Sequence, residues 1–204
     1  MLKVGLTGGL ATGKSHIAKE LARLGCHVLE ADSLGHEVLL PSGEAYQPVL
    51  KEFGPAILNP GNNTIDRKKL SAIVFHDPSK MKALTAIVHP AVRRLGDARR
   101  EGFERDDPTG ILVYEAAILV ETGGYRDFDK LIVASCPEEM QIERARARDG
   151  STREEALARL RRQLPLSEKL RYADYVIETS GPMEQTIEQT RSVYEKLHGV
   201  KQQS

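Results

Sequence analysis

Cysteine is scarce in this 204-residue chain, long apolar runs are missing, and so is an excess of charge of either sign. Each absence removes a class of protein. Cys26 and Cys136 do not form a C-x-x-C pair, so neither a disulfide framework nor a zinc site is indicated, and both read as small apolar residues flanking strands. No stretch approaches the roughly 18 apolar residues of a membrane span, and the N-terminus enters a strand rather than a signal peptide. A cytoplasmic protein away from membranes is the simplest expectation. The 29 Lys and Arg balance 29 Asp and Glu, and a formal net charge of zero argues against a broad electrostatic grip on nucleic acid. A local basic surface stays open. No internal repeat or low-complexity tract stands out, and nothing demands an oligomer or an obligate protein partner. The length suits one α/β domain carrying an insertion.

What is present is a phosphate-binding pattern in a telling place. Gly8-Gly9-Leu10-Ala11-Thr12-Gly13-Lys14-Ser15 fits G-x-x-x-x-G-K-[ST]. Before it, Leu2, Val4 and Leu6 alternate as a strand does; after it, Ile17, Ala18, Leu21, Ala22 and Leu24 recur at helical spacing until Gly25. The loop therefore opens a helix. Its glycines let successive N–H groups converge on phosphate oxygens, and the helix dipole adds positive character. Lys14 is placed to reach the terminal phosphates of a nucleoside triphosphate, and the Ser15 hydroxyl to ligate magnesium. A merely glycine-rich turn leaves Lys-Ser unexplained.

Short β-branched runs alternate with helical stretches at Leu2 to Leu6, His27 to Glu30, Ile111 to Glu115, Leu131 to Ala134 and Tyr175 to Glu178. They predict a five-stranded parallel sheet covered on both faces by helices. The core falls on 1–32, 106–136 and 172–204. The mostly helical segment of about 33–105 is too long for one crossover and predicts an inserted cap or subdomain, broken by turns at Pro41-Ser42-Gly43, Asn59 to Asn63 and Asp77-Pro78. A helical lid is expected over about 137–171. Pro137 starts one helix there, bearing Arg144, Arg146 and Arg148, and Thr152 with Glu155 forms a capping box for the next. A last helix after Pro182 lines up Met183, Ile187, Tyr194 and Leu197.

Candidate chemistry gathers at strand ends. The second strand ends in Glu30-Ala31-Asp32, and strand alternation would send the side chains of 30 and 32 to one side, beyond the carboxyl ends of the strands where ligands collect. Asp32 there could accept a hydrogen bond from an incoming hydroxyl; capping the next helix is the equally available role. Glu115, closing the third strand, could hold a magnesium-bound water or be a solvated carboxylate, and Glu121 is a weaker case. Arg144 and Arg148, four apart on a helix, share a face and could meet one polyphosphate together. From Arg144 through Arg171 nine Lys or Arg oppose four Asp or Glu, a local charge of +5 that favours phosphate contact over an ordinary solvated helix. Arg67, after Ile65-Asp66, reads by default as a structural ion pair, and His89, before Pro90, as a satisfied helix-end histidine.

Taken together, these positions resemble the dephospho-coenzyme A kinases of the P-loop nucleoside and nucleotide monophosphate kinase superfamily over nearly the full length. The resemblance runs through Gly5-Leu6-Thr7-Gly8-Gly9, Gly13-Lys14-Ser15, Leu24-Gly25, Ala31-Asp32, Phe53-Gly54, Ile65-Asp66-Arg67, Val74-Phe75, His89-Pro90, Ile118 to Glu121, Arg144 with Arg148, Gln163, Lys169 and Ala173 to Ile177. It implies a three-layer fold in which ATP, with magnesium, phosphorylates the ribose 3′-hydroxyl of dephospho-CoA to give CoA and ADP. It further implies that Asp32 is the catalytic base, aided by Lys14 and Arg144. ATP would sit on Gly8 through His16 with Arg144 and Arg148, and dephospho-CoA on Asp32, Arg67 and His89. The chain departs from the usual pattern at Ala11-Thr12 with His16, at Glu30 for Asp, at Ala117 for Pro, and at Thr179 where Asn is frequent beside adenine. A nucleoside monophosphate kinase is the nearest rival. A regulatory GTPase lacks its Asn-Lys-x-Asp here, and a nonenzymatic nucleotide sensor has no need of both Lys14 and Asp32.

Overall fold

A computed structural model describes residues 1–75 and 77–201 of the chain, Lys201 by its backbone alone. Five parallel strands form one sheet: β1 (Leu2–Gly8), β2 (His27–Glu30), β3 (Ile111–Glu115), β4 (Lys130–Ser135) and β5 (Tyr175–Glu178), in spatial order β2-β3-β1-β4-β5. The central strand is the first in sequence. Val4 faces Val113 in the β1–β3 ladder, and Leu6 faces Ile132 in the β1–β4 ladder. All five residues from Val4 to Gly8 are buried, as a strand covered on both faces requires.

Alternation along β4 shows the layers. Ile132 and Ala134 join a core with Ile17 and Leu21 of α1 (Lys14–Arg23) and with Val193 and Leu197 of the last helix, whereas Leu131 and Val133 pack with Leu119, Phe128, Leu166 and Leu170. One strand thereby anchors both outer layers.

The chain divides into two compact units, Met1–Leu29 with Phe103–Ser204, and Glu30–Gly102. The second unit holds α2 (Ala31–Glu37), α3 (Tyr46–Phe53), α4 (Arg67–Phe75) and most of α5 (Pro78–Asp106), around a core of Val38, Val49, Ile57, Leu70, Val74 and Ala91. Its expected turn at residues 59–63 is present, closed by the Leu58–Ile65 bridge and by Asn59 N–H donating to the Thr64 carbonyl at 2.9 Å. In the first unit follow α6 (Glu138–Asp149), α7 (Arg153–Leu160), α8 (Leu166–Leu170) and α9 (Met183–Lys201). The capping box forms as expected: Glu155 N–H donates to Thr152 Oγ1 at 3.2 Å, and Thr152 N–H to Glu155 Oε2 at 2.8 Å.

Three local expectations need correction. His89 and Pro90 lie inside the continuous α5 rather than at a helix end. Proline costs a backbone hydrogen bond there, and apolar residues on both sides of it, Ile87, Val88, Ala91 and Val92, packed into one core hold the helix together. On α9 the buried face is Thr186, Thr190, Val193 and Leu197, while Met183 is 45% exposed. Thr190 Oγ1 donates to the Thr186 carbonyl at 2.7 Å, so a threonine can face the core with its hydroxyl satisfied. Finally, β2 ends at Glu30 and α2 begins at Ala31, so strand alternation does not govern where Asp32 points.

Candidate functional site

The glycine-rich loop lies between β1 and α1, as the spacing predicts. Gly13 precedes the helix in the left-handed region (φ 83°), and Ala11 adopts φ 51°, a conformation that costs a non-glycine residue about 1–2 kcal/mol. A Cβ on Gly8 would fall 2.5 Å from Thr12 Oγ1 and 2.6 Å from the Ala134 carbonyl oxygen, so only glycine fits where the loop leaves the sheet. Thr12 Oγ1 (3.1 Å) and Lys14 Nζ (2.9 Å) both donate to the Gly9 carbonyl. The loop is thus drawn into a ring by its own side chains. Leu10 is buried with Ile142, Ala145 and Ala156, which anchors the middle of the loop against α6 and α7.

Ser15 Oγ, in the first turn of α1, donates to Glu115 Oε1 at 3.1 Å across the β1–β3 ladder. The structure therefore joins two residues that the sequence placed 100 positions apart in one expected metal site. Among the described residues no group of three or more His, Cys, Asp or Glu could hold a metal ion. Magnesium bound largely through nucleotide phosphates needs only one or two protein oxygens, and a hydroxyl beside a carboxylate is the donor set that this hard cation selects. The residues fit the ion. His16 is exposed on the same turn.

Arg144 and Arg148 have separate partners. Arg144 donates from Nη1 to Thr179 Oγ1 (3.2 Å) and from Nη2 to the Thr179 carbonyl (2.6 Å), whereas Arg148 is forked onto Asp149 at 2.8 and 3.0 Å. Arg159 also bonds Asp149, and the two guanidiniums hold that carboxyl well below the usual carboxylate range. Arg153 pairs with Glu139, Arg171 with Glu168, and Lys169 with Glu121. Much of the local excess of positive charge is thus met by acids in and beyond the segment. Arg144 is fixed beside the loop through Thr179, whose hydroxyl also meets the Thr12 carbonyl.

Asp32, Arg67 and His89 belong to the 30–102 unit. Asp32 is exposed in the first turn of α2, where Glu30 occupies the N-cap position without a capping bond. Glu30 Oε2 instead accepts from Ser33 Oγ at 2.8 Å. Arg67 contacts the His36 ring, not an acid, while Asp66 accepts the Lys68 and Lys69 amides at the start of α4. His89 is exposed on α5.

Three residues around the loop make contacts that the sequence reading did not foresee. Thr179, just past β5, is 4% exposed; its hydroxyl lies 2.9 Å from the Thr12 carbonyl and 3.2 Å from that of Ser135. Gln141 is buried, with Nε2 donating to the Cys136 carbonyl at 3.1 Å and Oε1 filling the space that a Cβ on Gly9 would need. Lys169, counted by sequence in the locally basic segment and among the residues of the resemblance but given no role of its own, is fully buried. The position of Thr179 immediately after a strand end was a usable signal. For Gln141 and Lys169 only the fold reveals the contacts.

Known proteins match this chain along nearly its whole length. A family model described as dephospho-CoA kinase matches residues 2–185. A protein named dephospho-CoA kinase from Aquifex aeolicus (strain VF5) is 41% identical over 197 residues, covering 97% of this chain and 98% of its own. A crystal structure of a Thermus thermophilus protein superposes with TM-score 0.79 at 34% identity, covering 96% of this chain and 97% of the other. A dephospho-CoA kinase structure from Campylobacter jejuni shares the fold with TM-score 0.66 at 24% identity and 96% coverage of both chains.

Proposed function

Because the chain belongs to the dephospho-CoA kinase family, it is a phosphotransferase that acts on dephospho-CoA in the final step of coenzyme A synthesis, and we propose how its residues divide the work. The observation that carries the proposal is the loop from Gly8 to Ser15, ringed on the Gly9 carbonyl, with Ser15 bonded to Glu115. The amides of residues 8–16 bind the triphosphate of ATP. Lys14 exchanges the Gly9 carbonyl for the terminal phosphates, and an ammonium there stabilises the charge that shifts during transfer. Ser15 and Glu115 would hold magnesium directly or through water; when bound, the ion neutralises phosphate charge. Arg144 supplies charge from the loop's flank. Arg148 joins it only by leaving Asp149.

Asp32 accepts the proton of the ribose 3′-hydroxyl as that oxygen bonds to the terminal phosphorus and the bond to the departing ADP oxygen breaks. Little proton abstraction is asked of that carboxylate, because phosphoryl transfer has a loose transition state and depends chiefly on positioning. Arg67 and His89 contribute to holding dephospho-CoA. No helix among the described residues is long and apolar enough to cross a membrane, and use of ATP supports a cytoplasmic place of action.

The direct test measures ADP release against dephospho-CoA, dTMP and adenosine with mass detection of the product. Dephospho-CoA alone should gain one phosphoryl group, on the ribose 3′-oxygen. Equal transfer to dTMP would contradict the substrate assignment. Lys14→Ala should lower kcat/KM by about 10²–10³-fold. Asp32→Asn should lose most turnover while ATP binding persists; normal turnover by that variant would remove Asp32 from the chemistry.

A further inference from the structure

The ammonium of Lys169 lies at 0% exposure with three oxygens around it: the Ala117 carbonyl at 2.6 Å, Glu121 Oε1 at 2.7 Å and the Gly8 carbonyl at 3.3 Å. A lysine ammonium has three protons and no acceptor, so three oxygens satisfy it. Glu121 Oε1 also accepts the Leu164 amide at 3.0 Å, in the connection between α7 and α8. Four chain segments therefore meet at one buried charge. They are the start of the phosphate loop, the stretch after β3, the α7–α8 connection and α8 itself.

With all three protons taken, such a group has none left for phosphate. Its contact with Gly8 nevertheless reaches the phosphate site through the backbone. A peptide unit is planar, and its C=O and N–H point in opposite directions. Whatever holds the Gly8 carbonyl thereby fixes the direction of the Gly9 N–H, the amide next along the cradle. Gly8 and Gly9 have no side chains of their own to fix that plane, and glycine has the widest choice of backbone conformations. An external clamp is what such a plane needs.

We propose that Lys169, held by Glu121, is a positioning residue that orients the Gly8–Gly9 peptide so that the Gly9 amide faces the nucleotide phosphates. The same pair ties that peptide to the α7–α8 connection through Leu164, so displacement of this connection is felt at the loop. The inference rests on the reading of the loop as a triphosphate site, and its test separates the two. Inorganic tripolyphosphate and adenosine serve as probes of the two ends of ATP, with binding followed by calorimetry and the Gly9 and Gly13 amides by 1H–15N spectra.

The unsubstituted protein should bind tripolyphosphate; failure to do so overturns the site reading on which the proposal stands. Lys169→Met, of similar length and no charge, should weaken tripolyphosphate by about tenfold or more, on the scale that small misplacements cost. Adenosine affinity should stay within about twofold, and the Gly9 amide signal should shift while Gly13, whose preceding carbonyl is met by Thr179, stays in place. Lys169→Arg keeps the charge and carries the test if the methionine variant does not fold: its planar guanidinium cannot reproduce three convergent bonds, so tripolyphosphate should weaken with the same Gly9 shift. Glu121→Gln should move both readouts in the same direction by less. An unmoved Gly9 signal in a folded Lys169 variant, or equal losses for both probes, would make Lys169 a packing residue and overturn the proposal.

Discussion

Thr179 illustrates how much a single hydroxyl can organise. With one proton and two lone pairs it donates toward the Thr12 and Ser135 carbonyls and accepts from Arg144, so it joins the loop, the end of β4 and α6. Thr179→Val keeps the volume and removes all three bonds. Buried partners left unsatisfied cost about 1–3 kcal/mol, so the melting temperature should fall and the KM for ATP rise, while Thr179→Ser should restore both. A valine variant with unchanged melting and KM would reduce the hydroxyl to a bystander. Burial sets reactivity as well. Desolvation pushes the Cys26 thiol up to about 12, so it is a core residue rather than a nucleophile, in keeping with its reading as a small apolar residue flanking a strand. Lys14 and Ser15 were legible from sequence because the motif is local. Lys169 was not, because its partner Gly8 is 161 positions away.

Among the elements, α6 and α7 form a charged hairpin held both by apolar contacts and by acids. Ala145 and Ala156 are buried with Leu10, Arg153 pairs with Glu139, and Asp149 lies between Arg148 and Arg159. Asp149 has its folded-state pKa depressed, first by the hydrogen bond from Arg148 and then by that from Arg159. Its contribution to stability is therefore present above the ordinary aspartate pKa of about 4 and is lost as pH falls from there toward the lowered value. Asp149→Asn should melt below the unsubstituted protein at pH 7, with the gap closing under acid conditions; a gap independent of pH would show that charge is not its origin. Thr152→Ala, which breaks the capping box, should cost about 1 kcal/mol in chemical denaturation. The box was readable because Thr and Glu three apart satisfy each other's amides without help from the rest of the fold. The partners of Arg144 and Arg148 were not readable for the converse reason: helical spacing says which face a side chain occupies but not that Thr179 waits there for one and Asp149 for the other.

For the whole molecule, ligand binding and stability are linked. ATP at about a hundred times its Kd should add about 2.7 kcal/mol to the unfolding free energy. Asp32→Asn should keep that gain and Lys14→Ala should lose most of it, a contrast that differential scanning calorimetry reads directly; equal stabilisation of both variants would place the phosphate grip elsewhere. By itself the sequence determined the five strands, the phosphate loop and the capping box, because strand alternation, loop glycines and helix caps are satisfied within a few residues of one another. The tertiary structure alone decided that Asp32 stands on a helix, that Arg144 rests on Thr179 and that Lys169 is buried against Gly8 and Glu121. Those outcomes depend on which distant carbonyl or carboxylate must satisfy a polar group once water is gone, and only the packed chain settles that.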